Sequence, residues 1–240
     1  QRVKFERTRI KLENGGADGD VLLEPGNLDV TDTRLFLGIL EELTQLNDQR
    51  KQNPDLFSPM QELHLLDQMA EMSAFLGRYP EAVESLSEVW HLAQQMKIPI
   101  EAARAAKFKG DVKILQGLVQ ITHPSQDETG QAIVNPNGTI LRKYILQAIQ
   151  TYTEEGLAVM GDVDRSIDYH VLLRGQRVRA ISILIMSYEN EIKKVLTNLT
   201  GTDQELERIK EELLPHLKNA LDDFNFLINS PIWGPKFTDP

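Results

Sequence analysis

Histidines, paired carboxylates and a scatter of lysines and arginines are the residues here that could do chemistry. None is spaced for catalysis. His64, His91, His123, His170 and His216 fall on separate segments. No His-x-x-x-His or His-Glu-x-x-His spacing puts two imidazoles on one helix face around zinc. The adjacent carboxylates Glu154-Glu155, Glu211-Glu212 and Asp222-Asp223 would point about 100° apart around a helix, so the members of a pair cannot face one substrate together. The glycine patterns of phosphate loops, dinucleotide loops and nucleophile elbows are missing. The chain has no cysteine, which removes disulfides and thiolate nucleophiles. The expectation is a protein that is not an enzyme and carries no metal or organic cofactor.

Charge is more informative. The net charge is −10 over 240 residues, which argues against a nucleic-acid binder dominated by phosphate contacts. Residues 61–88 carry Glu62, Asp67, Glu71, Glu81, Glu84 and Glu88 against Arg78 alone, whereas bases gather in the middle: Arg104, Lys107, Lys109, Lys113, Arg142, Lys143, Arg165, Arg174, Arg177 and Arg179. No apolar run approaches the ~20 residues of a membrane span. The lack of cysteine favours a reducing compartment, and the expected location is cytoplasmic; a chain opening on Gln1 leaves a lost targeting segment open.

The elements that must position these charges read as helices. Apolar periodicity gives a first helix from Asp32, capped by Thr31 or Asp32, to about Lys51, with Leu35, Phe36, Ile39, Leu40, Leu43 and Leu46 as its stripe. Two further periodic segments flank Leu76-Gly77-Arg78-Tyr79-Pro80-Glu81-Ala82. Gly77 can take the positive φ that ends a helix, and Pro80 suits the first turn of the next. So short a turn folds the two helices back as an antiparallel pair. The segment 163–199 reads as one long helix or two sharing a kink, and Gln204–Ile228 as a last helix kinked at Pro215. Residues 1–30 form an N-terminal extension, a loose hairpin or an arm. Residues 31–229 form the helical domain, and 230–240 a tail whose Trp233 and Phe237 pin it over the last helix. The breaker-rich stretch 121–138 is a long irregular insertion.

Gly-x-Tyr-x-Glu-Ala between two amphipathic helices resembles the turn of a tetratricopeptide repeat. Ala70 and Ala82 stand where that family places small residues for close helix packing. A forty-residue shift carries Ala70 to Gly110 and Gly77 to Gly117, and Ala148 and Tyr152 then stand where Ala82 and Leu86 stood. A third first-helix would be 165–180, with Gly175 at its close-packing point. The resemblance covers roughly residues 60–185 and is to long-helix members of the family; no second turn repeats the motif.

The resemblance implies an all-α, TPR-like stack of antiparallel helix hairpins, a short right-handed solenoid. Its first helices would line a concave groove and make it a protein- or peptide-binding scaffold or adaptor. Groove-facing residues would be His64, Asp67, Glu71 and Phe75, then Arg104, Lys107, Asp111 and Ile114, then Tyr169, Leu172, Gln176 and Arg179. Phe75, Ile114, Leu115 and Leu172 would be its apolar floor. Arg104, Lys107 and Arg179 together would seat an acidic or carboxylate-bearing segment; the alternative is that they pair with nearby Asp and Glu and hold the helices in register. Two other readings stand beside this one: a ligand-responsive sensor that changes shape on binding, and a helical-bundle enzyme. A subunit role in a larger complex is a variant of the scaffold.

Overall fold

The structure, a computed structural model, describes residues 30–122, 138–161, 168–189, 191–193 and 203–230. These are helical throughout, with no strand among the described residues. Helix α1 spans Val30–Gln52, α2 Pro59–Phe75, α3 Tyr79–Gln95, α4 Pro99–Thr122, α5 Thr139–Gln150, α6 Asp168–Ser187 and α7 Asp203–Ile228. A 3₁₀ turn, Pro54–Leu56, separates α1 from α2, and α5 runs on into a π-helical turn, Thr151–Leu157. The expected hairpin or arm, the body of the insertion (123–137) and the tail (231–240) lie outside the described residues.

Local chemistry sets the boundaries. Ser58 and Gln61 close a reciprocal capping box at the start of α2: the Gln61 amide donates to the Ser58 hydroxyl, and the Ser58 amide to the Gln61 side chain. At its end Gly77 takes φ 72°. The Arg78 N–H donates to the Ser73 carbonyl at 2.8 Å, and Gly77 N–H to Ala74 at 3.0 Å. That is the Schellman pattern the Gly77-Pro80 spacing predicts. The same two bonds end α3, Ile98 to Ala93 at 2.9 Å and Lys97 to Gln94 at 3.0 Å. There a lysine sits at the left-handed position, with φ 58°. Helix α1 starts at Val30, ahead of the expected cap, so Thr31 and Asp32 lie within it and the expected boundary at residue 31 falls inside a helix. The long run after 163 breaks at Tyr188, a turn between α6 and the helical residues 191–193.

Helices pack on their successors in chain order. Phe36, Leu40 and Leu43 of α1 meet Leu65, Met72 and Phe75 of α2, with the Phe36 and Phe75 rings stacked at 5.4 Å. Leu46, the last member of the expected stripe, is exposed instead. A second core joins α2, α3 and α4 through Leu63, Leu66, Ala70, Ala82, Leu86, Val89, Ala102 and Ala105. The third and largest joins α4 to α5, the π-turn, α6 and α7. Helix α4 buries Ala102, Ala103, Ala105 and Ala106 completely. Small residues on both of its sides let neighbouring backbones approach closely.

The close approaches fall where residues are small, with one exception. Ala70, Ala82 and Ala148 are fully buried. A Cβ on Gly110 would lie 2.2 Å from the Tyr152 ring, and one on Gly117 would lie 3.0 Å from Tyr144. Gly175 departs from expectation: a Cβ there meets nothing within 4 Å. The tight contact to α6 is made by Gly156 of the π-turn, whose added Cβ would lie 2.7 Å from Leu173.

Candidate functional site

Between α2, α4 and α6 lies a concavity of about 290 Å³ lined by Asp67, Glu71, Arg104, Lys107, Phe108, Tyr169 and Leu172. Each helix contributes residues three or four apart, which share one face of a helix. Asp67 and Glu71 come from α2, Arg104, Lys107 and Phe108 from α4, Tyr169 and Leu172 from α6. The wall is amphipathic. Phe108 and Tyr169 are half-buried, Leu172 is 40% exposed, and the opposite side is ionic.

The bases of this wall are already engaged. The Arg104 guanidinium donates to both Asp67 oxygens, at 2.9 and 3.1 Å, and to Glu101 at 2.8 Å. Burial works against its charge, but the Asp67 and Glu101 carboxylates outweigh burial and raise its pKa above the ordinary arginine value. Lys107 donates to Asp111 at 2.7 Å, and the other Asp111 oxygen accepts from the Tyr152 hydroxyl at 2.7 Å. Burial first, then the Asp111 carboxylate, push the Tyr152 phenol well above its usual range, with Arg179 opposing. The phenol therefore stays a neutral donor. These bonds tie the groove wall to the α4–α5 core, because Tyr152 is the side chain that Gly110 leaves room for.

Of the residues expected to face a partner, Asp67, Glu71, Arg104, Lys107 and Leu172 line this concavity, as does Tyr169. Phe75 does not: it is buried against Phe36 on the α1 side of α2. Ile114 is likewise buried in the α4–α7 core, and Leu115 packs in the α2–α4 core. The apolar floor is instead Phe108, Tyr169 and Leu172. Gln176 and Arg179 lie further along α6, half-buried and outside the lining, and the Arg179 charge acts on Tyr152. His64 is exposed on α2. Phe108 went unread in the sequence, although it stands four residues after Arg104 and next to Lys107, on the same face.

A second cleft, of about 450 Å³, separates α5 from the first half of α7 and is lined by Thr139, Arg142, Lys143, Leu146, Gln147, Gln150, Arg208 and Glu212. Its arginines serve the fold. Arg142 donates to the Ser187 carbonyl and to Glu191, each at 2.6 Å, and lies over the Tyr188 ring, 3.5 Å from its centre. A cation at the C-terminal end of α6 suits the helix dipole. Arg208 reaches the second Glu191 oxygen at 3.1 Å. Among the described residues no group of three or more His, Asp or Glu side chains is arranged to hold a metal ion, and no helix is long and apolar enough to cross a membrane.

No protein-family model, curated protein or solved structure matches this chain.

Proposed function

We propose that this chain is a TPR-like helical-repeat domain that holds a protein or peptide segment in the groove between α2, α4 and α6. One observation carries the reading. Helices at 59–75, 99–122 and 168–187, which this reading takes as the first helices of successive hairpins, bring residues of one helical face each around a single concavity. Preformed helices present such a groove without an ordering cost in the receptor. An apolar side chain of the partner would rest on Phe108, Tyr169 and Leu172. Polar groups beside it would meet the Arg104–Asp67 and Lys107–Asp111 pairs. A partner carboxylate must then share Arg104 with Asp67 and Glu101, or Lys107 with Asp111. Charge in this groove accordingly sets orientation more than affinity.

The test is a displayed peptide library panned on the protein, followed by calorimetry of the selected peptides. Leu172→Glu should weaken their binding roughly tenfold or more. The melting temperature should hold within a few degrees, because Leu172 is 40% exposed. Lys107→Glu should alter which peptides are selected. If no peptide is selected, or selected peptides bind the Leu172→Glu protein undiminished, the groove is not the binding surface.

A further inference from the structure

The wall of the α2–α4–α6 groove is more acidic than its lining alone suggests. Arg104 and Lys107 face it, and so do Asp67 and Glu71. Behind the two bases stand two further carboxylates: Glu101 accepts from Arg104 at 2.8 Å, and Asp111 accepts from Lys107 at 2.7 Å. Asp67 holds the same Arg104 guanidinium at 2.9 and 3.1 Å. Three carboxylates thus answer two bases before Glu71 is counted. Arg179, the next base along α6, does not reverse the balance, because the first turn of that helix carries Asp168. Asp168 also offsets the positive end of the α6 dipole, which would otherwise favour an anion.

The balance decides which guest fits. A carboxylate entering the groove meets positive charge that is already shared, with further carboxylates close behind it. An ammonium or guanidinium group meets oxygens with sites to spare, since each carboxylate offers about four lone-pair positions. Phe108 and Tyr169 add two half-buried aromatic rings. Aromatic faces attract cations, and the methylene stem of a lysine or arginine packs on apolar surface while its head stays with polar groups. The space is about 290 Å³, just short of the ~300 Å³ at which ordinary small-molecule pockets begin, so it suits one side chain. We propose that the groove receives a single arginine or lysine of a peptide segment, its stem on Phe108, Tyr169 and Leu172 and its charge toward Asp67 and Glu71. The inference rests on the groove being a peptide site, and it reverses the sign of guest that the bases in the sequence led one to expect. The chain's net charge of −10 also favours encounter with a basic segment.

A random displayed peptide library panned on the full chain should enrich Arg or Lys over Asp or Glu at the position the selected peptides share. Putting Glu at that position in the synthetic peptide should weaken binding roughly tenfold or more. Two variants of one exposed residue then read the charge of the guest. Leu172→Glu and Leu172→Lys both remove the same apolar contact, and both proteins should melt within a few degrees of the original chain, because Leu172 is 40% exposed. A basic guest should bind the Leu172→Lys protein roughly three- to tenfold more weakly than the Leu172→Glu protein. Enrichment of Asp, Glu or uncharged residues at the shared position overturns the proposal. So does equal binding to the two variants below the original level, or tighter binding to Leu172→Lys; in each case the groove stands as the site and only the sign of its guest is lost. Selected peptides that bind both variants as tightly as the original chain, or no selected peptide at all, remove the groove itself and this inference with it.

Discussion

Lys113 brings an ammonium group into the seam between α4 and the π-turn. Lys109 is one helical turn away, Glu155 is near, and the Thr151 hydroxyl accepts its hydrogen bond at 3.1 Å. Burial first, and then the Lys109 charge, lower its pKa, while Glu155 opposes them. The folded chain therefore holds this proton less tightly than the unfolded chain does. Stability should rise with pH between the lowered folded value and the ordinary lysine range, and the full penalty applies below that window. Lys113→Met should raise the melting temperature at neutral pH, and the advantage should shrink as pH rises through about 10, the range in which lysine loses its charge first in the folded and then in the unfolded chain. Thermal melts at the two pH values check this; an advantage of equal size at both would mean that packing, not charge, is responsible. That Asp67 and Glu71, or Arg104 and Lys107, lie on one helix face was legible at this same scale. Spacings of three and four residues fix which side chains share a helix face. They do not say which neighbouring helix each face meets: Phe75 and Ile114 have the spacing of a groove face and are buried in cores.

At the scale of the element, two helix ends with identical hydrogen bonding differ in legibility. Gly77 announces the end of α2 because glycine takes positive φ without strain. Lys97 does the same work at φ 58° and carries no such signal. What the sequence did offer was Pro99 with Glu101-Ala102 after it, an echo of Pro80-Glu81-Ala82 with one residue inserted. Lys97→Gly should relieve the left-handed penalty and stabilise the fold by about 1 kcal/mol. That corresponds to an upward shift of about 2–4 °C in melting temperature for a chain of this size. Denaturant titration should show a higher midpoint at unchanged slope; no gain would mean that Lys97 makes a compensating contact. The π-turn was not legible, since it lies at the end of its helix and leaves too little periodic sequence beyond Leu157 to show the change of phase. Gly175 misled because an unpunctuated helix made it the natural close-packing point, whereas Gly156 takes that place.

Across the whole molecule, stability is passed between neighbours. Helix α7 joins the rest chiefly through α6, and its fastener is ionic. Asp223 is fully buried and accepts from Arg177 through both oxygens at 2.7 Å and from Arg174 at 2.6 Å, while Arg177 also donates to Thr153 of the π-turn at 3.0 Å. Removing the carboxylate leaves two guanidinium groups without their shared partner. Asp223→Ala should therefore destabilise by about 3–5 kcal/mol, and the loss should be local first. Amide exchange should accelerate across 203–228 while 59–118 keeps its protection, as expected when elements touch mainly their neighbours. Uniform acceleration would show instead that the chain unfolds as one unit. The overall helical class was legible from periodicity and punctuation, and this lock was not, because nothing in the sequence pairs an aspartate with arginines 46 and 49 residues earlier. The π-turn has a consequence of its own. In it the Ala158 N–H reaches back five residues to the Thr153 carbonyl at 3.1 Å, so its winding holds one residue more than an ordinary turn would. That surplus acts as a phase shifter: Tyr152, near the start of the turn, is aimed at α4, and Gly156, near its end, is aimed at α6. Wound as an ordinary α-turn with that surplus residue kept, the same segment would turn the residues after it by about 100°. The chain would remain as helical as before and lose its aim.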